Sequence, residues 1–401
     1  MRNSRYLTTI LLGTALSAAH AQAPKTTVEF RPDQGIVVKH DTVFKTTIRF
    51  RMQNRAAFFS AAGDDLSLGS AEWRTRRARL RFDGYVLSPR LQYKLQLGFT
   101  EADMDIQDGS EDQYPLRDAV VIYALSRQWN IGFGQAKLPG NRERVVSSNQ
   151  LELPERSIVN GAFTLDRDFG LFLNWQRDLG SQVVRLRTAI SSGEGRLSAP
   201  GGGGLCYTAR GEWLPFGSFT NEGDYFEGDE LREVKPKLSI AAGYSSNDHT
   251  RRANGQLGEL FAPGAERTVN TFIADMMFKY RGWSLLTEVA DRRAEGSPLS
   301  VDTLAGRTLF VNEGRGLNTQ LGYMVGKHGE LALRYSIVSP GERVESVMRR
   351  NEEAWLGYTR YLNGHRIKLQ SALIYSWRNG IMDFDHTGNR WGLMLQMEVG
   401  I

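Results

Sequence analysis

The chain is poor in cysteine, with Cys206 alone among 401 residues, so no internal disulfide can staple it. Cys206 stands beside the glycine run 201–204 and is an incidental small residue in this reading. Past the first residues, no apolar run approaches the ~18 residues that a membrane helix needs. Histidine is sparse at 6 residues, and no His-x-x-x-His or Cys-x-x-Cys spacing offers metal ligands. No serine sits in a nucleophile-elbow context. These gaps leave no catalytic constellation, no metal and no cofactor to expect.

What is present begins with an export signal. Arg2 and Arg5 precede the apolar run Leu7 to Ala18, and Ala19-His20-Ala21 closes it with a small-x-small pattern. The pattern predicts a secretory signal peptide over 1–21, removed after Ala21. The formal charge is +5, and two of those charges leave with the signal. Arginine far outnumbers lysine, and its planar fork suits fixed contacts to carboxylates and phosphates. Export and the lack of a nucleic-acid motif argue against nucleic acid as partner.

Beyond residue 44 one pattern repeats: stretches of about ten residues that alternate in polarity. Ile48, Phe50 and Met52 share one face, and Thr47, Arg49, Arg51 and Gln53 the other. Ala78, Leu80 and Phe82 oppose Arg77, Arg79 and Arg81, while Leu91, Tyr93, Leu95, Leu97 and Phe99 oppose Gln92, Lys94 and Gln96. A soluble sandwich would alternate too, yet would not need aromatics at the segment ends, where Tyr93, Trp129, Trp175, Trp283, Tyr335 and Trp391 stand. Tight turns such as Ser88-Pro89, Arg281-Gly282 and Asn363-Gly364 alternate with long polar segments such as Asn54 to Trp73 and Leu138 to Asp166. Short turns at one rim and long loops at the other define a transmembrane antiparallel β-barrel, here of about sixteen strands. Pro215 to Lys235 breaks the alternation and is expected as an extended periplasmic excursion, its acids Glu222 to Glu233 a solvated turn. Residues 22–43 form a periplasmic lead-in, either a hairpin or a plug, and 44–401 the barrel.

Several of these segments resemble the phosphate-selective porin O/P family of outer-membrane channels. The matching stretches include Ile48-Arg49-Phe50-Arg51-Met52-Gln53, Arg76-Arg77-Ala78-Arg79-Leu80, Gly132-Phe133-Gly134-Gln135-Ala136-Lys137-Leu138-Pro139 and Arg167-Asp168-Phe169-Gly170. The resemblance implies a homotrimer of sixteen-stranded barrels in a Gram-negative outer membrane, each with a loop folded inward to narrow the pore. It also implies passive diffusion of small anions, with phosphate or polyphosphate as cargo. A non-selective pore and an inert structural or adhesive barrel are the alternatives.

Leu138 to Asp166 occupies the position of that constriction loop. Lys137, Arg142, Arg144, Arg156 and Arg167 are the expected anion pathway, and Arg49, Arg51, Arg77, Arg79 and Arg81 the expected lumen ladder. Fixed cations in a narrow passage concentrate anions and reject cations. Glu143, Glu152, Glu155 and Asp166 share the loop, so the same arginines could instead pin it to the wall. The family's phosphate-selective members cluster lysines at the constriction, and this loop region offers only Lys137.

Overall fold

Alternating polarity lets a closed sheet turn one face to hydrocarbon and the other to water, and the computed structural model has that form. It describes residues 26–31, 34–104, 114–196, 203–261, 264–302 and 306–401; the expected signal peptide lies outside them. The wall runs through β3 (Phe44–Ser60), β4 (Leu68–Val86), β5 (Leu91–Gly98), β6 (Leu116–Ala124), β7 (Trp129–Lys137) and β8 (Arg167–Leu179). It continues through β9 (Gln182–Ser191), β10 (Cys206–Leu214), β11 (Lys237–Thr250), β12 (Arg267–Tyr280) and β13 (Trp283–Ala294). β14 (Leu299–Asp302) and β15 (Arg307–Phe310) make a separate loop hairpin. β16 (Gly314–Val325), β17 (Gly329–Pro340), β18 (Asn351–Asn363), β19 (Ile367–Arg378) and β20 (Arg390–Gly400) complete the wall.

Each wall strand pairs antiparallel with the next, and β20 returns to β3 from Gly392↔Phe59 to Gly400↔Arg51. Sixteen strands therefore close with no open edge, as hydrocarbon requires of every backbone polar group. The large apolar side chains left exposed are the outward half of the pattern, among them Leu171, Leu321, Leu333, Leu393, Leu395 and Met397. Aromatic pairs belt both rims: Trp129–Trp175 and Trp283–Tyr323 at the short turns, and Tyr375–Trp377 and Tyr375–Trp391 at the long loops. Such belts mark membrane–water boundaries.

The N-terminal lead-in takes no plug form. β1 (Thr26–Arg31) and β2 (Gly35–His40) make a hairpin, and β2 pairs with β3 from Ile36↔Ile48 to His40↔Phe44. β20 ends opposite Arg51, leaving that length of β3 unpaired, and β2 covers it. An uncovered edge would invite pairing with another chain.

Candidate functional site

Register decides which arginines meet. Arg49 lies opposite Arg81, Arg51 opposite Arg79 and Gln53 opposite Arg77, all on the inner face of β3 and β4. The next pair is Asn54↔Thr75, so Arg76 is an extra residue in β4, a bulge that turns it inward as well. Like charges directly opposite repel, and carboxylates from the lumen relieve them. Asp83 accepts from Arg49 and Arg81 at 2.8 Å each. Glu155 accepts from Arg76 at 2.8 Å, Arg77 at 2.7 Å and Arg55 at 3.0 Å. Asp103 accepts from Arg79 Nε at 2.7 Å. Burial would raise the Glu155 carboxyl, but the guanidiniums of Arg77, Arg76 and Arg55 hold it well below the usual carboxylate range.

The loop between β7 and β8 lies inside the barrel. Leu153, fully buried, packs with Ala57, Ala332, Trp355, Ala372, Ile374 and Met394, and Val159 and Phe163 pack beside Ile273, Ala290 and Val338. The wall makes room with glycine: a Cβ on Gly357 would stand 2.1 Å from Leu153 Cδ2. Gly357→Leu is therefore expected to expel Leu153 from its seat, forfeiting about 2–5 kcal/mol of loop docking. Single-channel conductance should rise; an unchanged conductance in a folded variant would mean the loop is held elsewhere.

Several expected pathway cations turn out to hold this loop. Arg142 is fully buried and does not face the passage. Its Nε donates to Asp275 at 2.9 Å, Nη2 to Ser239 Oγ at 2.8 Å and Nη1 to the Asp224 carbonyl at 3.2 Å. Lys137 Nζ donates to the carbonyls of Arg144, Val145 and Val146, which close the short helix α1 (Arg142–Val145). Arg156 donates to the carbonyls of Glu143 and Val146, the latter at 2.8 Å. Arg144 pairs with Asp166, and Arg167 with Asp118 at 2.9 Å. Pinning a loop in a lumen takes cations that find carbonyls and carboxylates at fixed angles, and these residues do so. Lys137, Arg144, Arg156 and Arg167 nevertheless border the open passage as well.

The long connection between β10 and β11 is no external excursion: it folds up into the lumen. Asp224, Glu227, Asp229 and Glu233 are buried, not solvated. Each carboxylate has an internal partner. Arg185 pairs with Asp224, Glu233 accepts from Thr220 N and Oγ1, and Asp229 accepts from Glu233 N and Gly282 N. Lys279 Nζ donates to the carbonyls of Gly223 at 2.8 Å and Phe226 at 2.9 Å. The segment also latches to the loop: Glu227 N donates to the Gln150 carbonyl at 2.8 Å, and Glu152 N to Glu227 Oε2 at 3.1 Å.

That latch titrates. Burial and the neighbouring Glu330 push Glu152 up to about 8, and burial and Glu143 push Glu227 up to about 7. Arg334 and Lys279 offset part of this for Glu152. The docked state thus keeps protons that an undocked, solvated pair releases from pH ~4.3 upward. Stability falls as pH rises wherever the native state binds more protons. The latch is therefore tightest in acid, weakens as pH climbs from about 4.3, and is loosest once pH has passed the docked values of about 7 and 8. Current noise should grow over that window, and Glu152→Gln with Glu227→Gln should flatten the dependence. A flat wild-type profile would contradict it.

Among the described residues the lumen holds an upper and a lower chamber. The upper, about 650 Å³, is bordered by Arg49, Arg76, Arg77, Arg79, Arg81, Lys94, Arg117, Lys137, Arg144, Arg156, Arg167 and Arg196, against Asp103, Asp166 and Glu222 among the described acids. The lower, about 550 Å³, mixes Arg51, Lys279 and Arg366 with Asp229, Glu230, Glu233 and Glu398. Arg49, Arg79, Arg81, Gln96, Ser147, Gln150, Asn221 and Phe226 border both, so they form the neck between them. Wall, loop and the β10–β11 segment each contribute to this neck. Of the sequence-derived ladder, Arg49, Arg79 and Arg81 border both chambers, Arg77 only the upper and Arg51 only the lower. Sequence reasoning missed Arg76, Arg117 and Arg196 as lining residues, as well as Asn221 and Phe226. Alternation alone could have found Lys94, which shares a face with Gln92 and Gln96.

Residues 34–222 match the family model described as phosphate-selective porin O and P. No curated protein matches the chain. Among solved structures, the fold is similar to the outer membrane channel DcaP of Acinetobacter baumannii. That match is 13% identical at a TM-score of 0.51, covering 88% of this chain and 96% of that one. Salmonella typhi OmpF is 12% identical at a TM-score of 0.53, over 89% and 98%. An anion-selective porin from Comamonas acidovorans is 12% identical at 0.51, over 89% and 99%. At such identities the likeness is one of fold, that of the outer-membrane barrels of Gram-negative bacteria.

Proposed function

We propose that this chain, whose residues 34–222 match the family model described as phosphate-selective porin O and P, passes small anionic solutes, phosphate among them, by passive diffusion through the outer membrane. The observation that carries this reading is the lining of the upper chamber, where cations far outnumber acids above an arginine-bordered neck. A passage of that sign raises the local anion concentration and lowers that of cations. The bridging carboxylates Asp83, Glu155 and Asp103 each serve two or three guanidiniums, so positive charge stays in excess. Release follows in the lower chamber, where acids balance the cations and the ion is held more weakly.

Lys137, Arg144, Arg156 and Arg167 serve here both as loop anchors and as border cations, while Arg142 acts only through the loop's position. Assembly as a homotrimer follows from the family resemblance and belongs to the same proposal. The test is the reversal potential of the purified barrel in a planar bilayer under a potassium chloride gradient. It should lie near the chloride equilibrium potential; a value at zero or on the potassium side contradicts an anion pore.

A further inference from the structure

The neck has a cationic border and an uncharged one. Arg49, Arg79 and Arg81 make the first, and the turn of the β10–β11 segment brings Asn221 and Phe226 to the second. The Phe226 ring lies 5.5 Å from the His365 ring, centroid to centroid, and Leu231 and the backbone of Gly223, Gly228 and Gly364 continue that side downward. Burial, with Lys368 and Lys279 nearby, pushes His365 well below its usual range, so its ring is neutral.

This turn is held at a cost. Asn221 (φ 50°, ψ 42°) and Glu222 (φ 57°, ψ 36°) are consecutive left-handed residues, neither a glycine. Strained conformations of this kind persist only where the surroundings over-determine them, and they cluster at functional sites. The surroundings here do so from three directions: Glu233 on Thr220, Lys279 on the carbonyls of Gly223 and Phe226, and Arg142 on the carbonyl of Asp224. A solvated turn needs none of these.

Resting on the anion reading above, we propose that the neck is a slot for small organic anions with a flat apolar body, aromatic carboxylates being the class that fits, and that Phe226 determines this preference. The carboxylate faces the guanidiniums, where paired N–H donors match its two oxygens. The ring lies against Phe226, where offset or edge contact between aromatic faces is favourable. An inorganic oxyanion asks for donors on every side and finds none on the Phe226 ring, so it crosses with part of its shell unsatisfied there. A benzoate-sized ion has its charge and its apolar body on opposite ends, as the slot does.

The test uses the full-length mature protein in planar bilayers. Permeability to potassium benzoate and potassium phosphate is read from bi-ionic reversal potentials and divided by the ratio of bulk mobilities. Benzoate should exceed phosphate by roughly fivefold or more, and millimolar benzoate should depress chloride current saturably. Phe226→Ala should remove most of the preference, Phe226→Leu should restore part of it, and Phe216→Ala, exposed on the same segment outside the neck, should leave it intact. A wild-type barrel that prefers chloride to potassium yet passes benzoate no better than its mobility predicts overturns this proposal alone. One without preference for chloride over potassium overturns the anion reading beneath it. Equal loss in Phe216→Ala and Phe226→Ala would also sink the assignment to Phe226.

Discussion

Arg49→Glu with Arg81→Glu is expected to turn the proposed chloride preference into a preference for potassium. Both side chains stand about one-third exposed in the neck, bridged by the single carboxylate of Asp83, so neither replaces a packed core group. Each substitution moves the local charge by two units. Unit charges 4 Å apart in water interact by about 1 kcal/mol, roughly a fivefold change in local ion concentration. Anions lose and cations gain by such factors at once, so the permeability ratio should shift by more than roughly tenfold. The shift should shrink at 1 M salt, where screening acts within about 3 Å. Reversal potentials at two salt concentrations check both statements, and an unshifted ratio at 0.1 M would remove the arginine neck as the filter.

The second large effect is expected from Arg142→Ala, and it should act on pore size rather than on ion choice. Arg142 ties three elements together: Asp275 of β12, Ser239 of β11 and the Asp224 carbonyl of the β10–β11 segment. Removing one partner of a buried pair costs about 3–5 kcal/mol when the other charge is stranded. Asp275 keeps Arg210, at 2.6 Å, so the cost should fall near 3 kcal/mol. Loop and segment then loosen together. Conductance should rise and become noisy while the barrel itself stays intact on unheated gels, and the anion preference should change less than in Arg49→Glu with Arg81→Glu. A quiet, wild-type trace would show that the other anchors suffice.

These two positions show how legibility divided. Arg49 and Arg142 look alike in the chain, each an arginine in a stretch resembling the same family. Arg49 lies on an alternating strand, and period two alone turned it inward. Arg142 lies in a loop, where no period assigns a direction, and its partners Asp275 and Ser239 stand 133 and 97 residues away. The alternative that loop arginines pin the loop to the wall describes it well. Arg76 was lost for a different reason. One extra residue in β4 between Gln53 and Asn54 of its neighbour flips the alternation, and bulges leave no mark in a polarity pattern.

The segment after β10 was misjudged because its acids suggest water. Buried acids are tolerated only where cations and amides are arranged to meet them, and Lys279, Arg185 and Gln320 come from strands distant in sequence.

By itself the sequence determined that strands alternate, that they number about sixteen, and that one face is oily and the other rich in guanidinium, because period and turn spacing are local properties. The tertiary structure alone decided which cations stay open to the passage and which are consumed in holding it. That choice depends on carboxylates and carbonyls brought up from across the lumen, and the β10–β11 segment rising to meet the loop is its clearest instance.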